Sequence, residues 1–171
     1  MENNIIIESE RILLRPWRLE DASSLFKYAS DSRVSQLALW PAHTSVEMSR
    51  EVIERYFKTN PYCFAMILKS SCEPVGCIGF VPQGQEHYPL EIDEREVGYW
   101  IGYPYWSHGL TTEALNVLIA WCKNYTDLKS LLLTTDATNT GSQRVAEKCG
   151  FQFLENYEFE GIRSTAYRLI L

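Results

Sequence analysis

One stretch limits the possible folds more than any other: Glu96 to Thr126, EVGYWIGYPYWSHGLTTEALNVLIAWCKNYT. It opens as a strand, passes through a short loop turning on Gly109, and continues as a strongly apolar helix. That order aims the helix N-terminus, with its unpaired N–H groups and the positive end of its dipole, at whatever lies beyond the strand. Such an end suits a phosphate or pyrophosphate. The N–H groups of Ser107, Leu110, Thr111 and Thr112 would cradle it, His108 would add a donor, and Gly109 would let the backbone approach closely. The same residues also fit an ordinary helix start capped by Ser107. Along the helix, Leu110, Ala114, Val117, Leu118 and Trp121 form an apolar stripe that Leu115, Ile119 and Cys122 widen, so the helix is expected to be largely buried.

A second segment, TNTGSQRVAEKCGF from Thr138 to Phe151, offers a polar loop and a further helix over 140–149, closed by Gly150. Thr140 and Gln143 stand at capping-box spacing. If Thr140 caps, the amide of Asn139 can give a donor and an acceptor to a ligand; if Asn139 caps, it is structural. Arg144 and Lys148, four apart, would meet phosphates or simply solvent and Glu147. Together the two segments suggest a site for an acyl-CoA.

Around these lies a mixed pattern. Strands are expected over 11–17, 63–68, 75–81, 94–101, 131–135, 151–159 and 165–171, with 63–81 forming an antiparallel hairpin. Helices are expected over 19–29 and 46–60, the latter capped by Thr44 or Ser45 and stopped by Pro61. Residues 30–45 and 83–93 read as irregular. No repeat or linker interrupts the chain, so one domain over 1–171 is expected.

The net charge of −6 argues against a general nucleic-acid binder. It is compatible with a cationic substrate, although a mildly acidic surface also serves solubility alone. Five cysteines (63, 72, 77, 122 and 149) show no metal-ligand spacing, and most lie in apolar runs, so reduced, buried thiols and no metal are expected. No charged-then-apolar leader opens the chain, and no apolar run reaches the ~18 residues of a membrane span. A soluble, cytoplasmic protein with no membrane partner is the expectation.

GYWIGYPYWSHGLTTEAL followed by NTGSQRVAEKCGF resembles the GNAT superfamily of acyl-CoA-dependent N-acetyltransferases, most of all the branch of bacterial ribosomal-protein N-terminal acetyltransferases. RILLRPWRLEDA and PVGCIGF extend the resemblance over nearly the whole chain. It implies an α/β (α+β) fold: a single mixed, mostly antiparallel sheet, splayed at its centre, with helices on both faces. The cosubstrate would be acetyl-CoA. Its pantetheine arm would bond backbone around Trp100, Ile101 and Gly102, its pyrophosphate would sit on Trp106, Ser107, His108, Gly109, Leu110, Thr111 and Thr112, and Asn139 would meet the arm from the other side. A homodimer would be unsurprising for the family.

Two departures stand out. The family's phosphate loop usually runs Gln or Arg, two residues, Gly, one residue, Gly or Ala; here Trp106 and Thr111 hold the outer positions and only Gly109 matches. Many members place a tyrosine acid where this chain has Ala146. Ser142 then becomes the candidate to protonate the leaving sulfur, with Cys149 less attractive, and Ser142 reads equally as a helix-surface serine. Glu96 is the candidate base for direct attack by a primary amine, or else a solvated glutamate. The acceptor, a protein or peptide α-amine or a small amine, would meet Trp40, Tyr157 and Glu158, with Glu160 nearby. A non-catalytic acyl-CoA-binding module is the competing reading.

Overall fold

The computed structural model describes residues 5–171. Eight strands form one sheet in the order β1-β2-β3-β4-β5-β6-β8-β7, with β1 Ile7–Glu8, β2 Ile12–Pro16, β3 Cys63–Leu68, β4 Glu73–Phe80, β5 Glu94–Ile101, β6 Ser130–Asp136, β7 Gln152–Phe159 and β8 Ile162–Ile170. Among the registered pairs, β5 and β6 run parallel and the others antiparallel. Five α-helices are described: α1 Ala22–Ala29, α2 Ser32–Ala38, α3 Val46–Val52, α4 Leu110–Tyr125 and α5 Thr140–Lys148. The fold is the mixed α/β, mostly antiparallel arrangement the sequence implies. None of the described helices is long and apolar enough to cross a membrane.

The chain divides into two compact units, Met1–Gly79 with Tyr99–Ala114 and Phe80–Gly98 with Leu115–Leu171. In the first, the β1–β2–β3–β4 meander carries a core of Trp17, Leu25, Ala29, Ile53, Ala65 and Ile67, against which Trp40 and Trp100 pack. Arg15 and Asp21 fix the start of α1: the guanidinium donates to both carboxylate oxygens at 2.7 and 2.8 Å, and the Arg18 N–H donates to the same carboxylate at 2.9 Å. The end of β5 joins this unit, with the Gly102 N–H donating to Val75 O at 2.8 Å.

The second unit is built on β6, whose Leu131, Leu132 and Leu133 are fully buried. β6 pairs with β5 over Glu94–Val97 against Ser130–Leu133 and with β8 over its whole length. β7 closes the edge, with a register shift between Phe153 and Glu155. Buried Glu94 cross-links this sheet. It accepts from Arg168 at 2.6 and 2.9 Å, from the Ser130 hydroxyl at 2.8 Å and from the Glu91 N–H at 2.9 Å.

Several sequence expectations need correction. The supposedly irregular 30–45 region contains α2, capped by Asp31, whose carboxylate accepts from the Arg33 N–H at 3.0 Å. The 46–60 helix is α-helical only to Val52 and continues as a π-helical turn, Ile53–Phe57; Ser45, not Thr44, caps it. In α4 the buried line is Leu110, Ala114, Leu115, Leu118, Ile119 and Cys122, so Val117 and Trp121 stand at its margin. Cys72 is exposed, unlike Cys77, Cys122 and Cys149.

Candidate active site

In the first unit, the loop ahead of α4 is tightly turned. Ser107 and Gly109 both adopt left-handed backbone, φ +63° and +75°, and α4 begins at Leu110. First-turn amides of a helix have no acceptor within it, and the Glu113 N–H donates to Gly109 O at 3.0 Å. Arg11 holds the loop from the sheet side. Its guanidinium donates to His108 O at 3.1 Å and to Glu113 at 2.7 Å, while the Arg11 N–H and the Ser9 hydroxyl donate to the other carboxylate oxygen at 2.8 and 2.6 Å. Burial would raise the Glu113 pKa, but these donors outweigh it and hold the acid below its ordinary range.

The strand end leading into this loop is already partly bonded. Trp106, standing where the resemblance expects Gln or Arg, donates its indole N–H to Ile101 O at 2.9 Å and packs edge-on to Tyr103. The Gly102 N–H is held by Val75 O. A ligand meeting Ile101 O would therefore use its second lone pair. Trp40, an expected acceptor contact, packs edge-on against Trp100 with ring centres 5.8 Å apart.

In the second unit, α5 starts differently from the capping-box expectation. Asn139 is the cap: its Oδ1 accepts from the Ser142 N–H at 3.1 Å. Gln143 turns away and donates to Ala137 O at 2.9 Å. The cap engages the acceptor end of Asn139 and leaves its Nδ2 donors without a hydrogen bond among the described residues. Ser142 is half-buried in the first turn of α5. Gly150, φ +87°, closes the helix as expected. Burial pushes the Cys149 thiol up to about 11 and Cys122 to about 12, so neither is a thiolate near neutral pH.

Glu96 is not a solvated side chain. It is 1% accessible and accepts three hydrogen bonds. The Thr134 hydroxyl and His87 Nδ1 meet Oε1 at 2.6 and 2.9 Å, and the His87 backbone N–H meets Oε2 at 2.8 Å. The His87 side chain is 45% accessible and lines a depression of about 560 Å³ with Glu86, Tyr88, Pro89, Leu90, Tyr157, Glu158 and Phe159. Tyr88 and Tyr157 stack edge-on 5.0 Å apart, and the buried Tyr157 hydroxyl makes no hydrogen bond among the described residues. A base, acids and aromatic faces thus share one wall, which suits a cationic amine. No group of residues able to hold a metal ion occurs among the described residues.

The family model for the acetyltransferase (GNAT) domain matches residues 11–152. The chain belongs to the GNAT acetyltransferase family. This acetyltransferase is similar to the uncharacterized N-acetyltransferase p20 of Bacillus licheniformis, 29% identical over 88% of this chain and 85% of that protein. Among solved structures it is similar to a GNAT-family acetyltransferase from Bacillus anthracis, with a TM-score of 0.82, 23% identity and 97% and 98% of the two chains covered. It is also similar to RimL, the ribosomal L7/L12 α-N-protein acetyltransferase solved with coenzyme A: TM-score 0.78, 18% identity and 98% of each chain covered. At these identities the structures establish the shared fold.

Within the acetyltransferase, the structure brings together Tyr157 and Glu158 around one depression, Asn139 and Ser142 around one helix start, and Trp106 to Thr112 in one loop and the first turn of α4. Sequence reasoning missed His87, Thr134 and Arg11. A lone histidine in a polar loop has no periodicity to mark it, and Arg11 meets Glu113 across 102 positions of sequence.

Proposed function

We propose that this acetyltransferase moves the acetyl group of acetyl-CoA to a primary amine by direct attack, and that the whole chain serves as one catalytic domain. The pyrophosphate is bound by the loop from Trp106 to Thr112, where the left-handed turns at Ser107 and Gly109 support the reading. Trp100, Ile101 and Gly102 offer backbone to the pantetheine arm, and Asn139 offers the Nδ2 donors its capping role leaves over. Ser142 gives its proton to the departing sulfur. The amine lies in the depression lined by Tyr157 and Glu158, and the proton it must lose is drawn toward Glu96 through an intermediate carrier. Trp40 contributes to acceptor recognition. The observation that carries this reading is the buried carboxylate of Glu96, held by three donors beside an accessible imidazole.

The acceptor class that fits best is the α-amine of a protein or peptide. An extended peptide end suits a depression walled by acids and tyrosines at the β7 edge of the sheet, and RimL, which shares the fold, is named for such a substrate. Mass spectrometry of a short peptide with a free α-amine, incubated with acetyl-CoA and the protein, tests this. Acetylation that disappears when the α-amine is blocked supports it. Acetylation of spermidine but of no peptide would assign a small amine instead.

A further inference from the structure

We propose that His87 takes the proton from the acceptor amine, and that Glu96 is its positioning residue. The inference rests on the acetyltransferase reading and names the proton carrier within it.

The argument begins with tautomers. A carboxylate only accepts hydrogen bonds, so the Nδ1 of His87, 2.9 Å from Glu96 Oε1, must carry a proton. In the neutral ring the lone pair then lies on Nε2, and the hydrogen bond to Glu96 fixes this tautomer. The Nε2 makes no hydrogen bond among the described residues, while the side chain is 45% accessible and lines the depression. Glu96 is the reverse case. At 1% accessible, with Oε1 taken by Thr134 and His87 and Oε2 by the His87 N–H, it presents no oxygen to an incoming amine. The carboxylate holds residue 87 at both ring and backbone. Phe159, edge-on at 5.3 Å, fixes the ring from the other side.

The charges around the ring agree. The hydrogen bond to Glu96 raises the His87 pKa above 6.5, opposed by burial and reinforced by the charges of Glu96, Glu160 and Glu86. Tyr88, Tyr157 and Glu158 complete the titratable surroundings. The step balances as follows. Nε2 takes one proton from the ammonium, and the freed nitrogen lone pair forms the C–N bond to the thioester carbonyl. The C–S bond breaks with its electron pair on sulfur. Ser142 protonates the sulfur and is reprotonated, through solvent, by the proton the nitrogen sheds on becoming an amide. His87 releases its proton to water.

The test combines kinetics with NMR. The chain has three histidines, so the imidazole of His87 can be followed by nitrogen chemical shifts and assigned with His87→Ala. The wild-type protein should show an acidic limb of kcat/KM above 6.5 that coincides with the His87 titration. His87→Ala should lose that limb, lose about 10²-fold in kcat near neutral pH, and recover at high pH, where the amine is already free. Glu96→Gln should lower both the His87 titration and the limb. Removal of a merely structural residue would not be repaired by alkali. An active His87→Ala enzyme with the wild-type limb would overturn the proposal and leave the acetyltransferase reading standing. So would a limb that fails to follow the wild-type His87 titration, even if the variant does not fold. Absence of thiol release from acetyl-CoA with every amine would overturn both.

Discussion

Gly102 shows how little room the end of β5 leaves. A Cβ there would lie 2.5 Å from Cδ1 of Tyr28, whose hydroxyl is tied to that of Tyr105 at 3.1 Å. Gly102→Ala should therefore destabilise by about 1–3 kcal/mol, seen as a lower urea midpoint at unchanged slope. The thiols give a second residue-level test. Because burial raises Cys149 to about 11, direct transfer requires no acyl-enzyme there, and Cys149→Ala should keep most of its turnover. A covalently acetylated Cys149, trapped and seen by mass spectrometry, would contradict this. Glu96 was legible in the sequence as a carboxylate on a strand, but its burial was not: alternation fixes which residues share a face, not which face is covered. His87 was not legible at all, since its role depends on a loop folding back across nine residues onto Glu96.

At the scale of elements, the loop–α4 junction is the part most plainly written in the chain. Gly109 and the apolar run after it mark the turn and the buried helix, and both are found where expected. The clamp on that junction was not readable, because Arg11 lies on a distant hairpin. Arg11→Met should loosen the loop and weaken CoA binding by up to about fivefold, the ~1 kcal/mol upper range of an exposed pair, with kcat little changed. Titration calorimetry checks the prediction. The α5 cap illustrates a different limit: Asn139 and Thr140 are both good caps, and sequence alone does not rank neighbours. α2 escaped notice because its seven residues are too few for periodicity to speak, and only Asp31 signals its start.

For the whole molecule, the pH dependence of stability follows from a few groups. Burial would raise the Glu94 pKa, but hydrogen bonds from Arg168, the Glu91 N–H and Ser130 hold it below 4.5. A depressed acid contributes stability above its unfolded pKa and loses it as pH falls through the folded one, so the protein should weaken below about pH 4.5. The two shifted histidines act oppositely. His87, raised, contributes below 6.5 and loses this as pH rises through its folded value. His43, lowered by burial, contributes above 6.5 and loses this as pH falls. The two run in opposite directions across neutral pH. Arg168→Met, which strands the Glu94 carboxylate, should cost about 3–5 kcal/mol at neutral pH, with the penalty shrinking as Glu94 is protonated; thermal melts across pH measure both. The fold as a whole was legible through the family resemblance, whereas the depression joins loop residues 86–90 to Tyr157, Glu158 and Phe159 of β7, a meeting no sequence pattern marks. The most direct test of the account is release of free thiol from acetyl-CoA, with and without an amine acceptor. Amine-dependent release is the predicted result; binding of acetyl-CoA with no release in the presence of any amine would contradict the enzymatic reading.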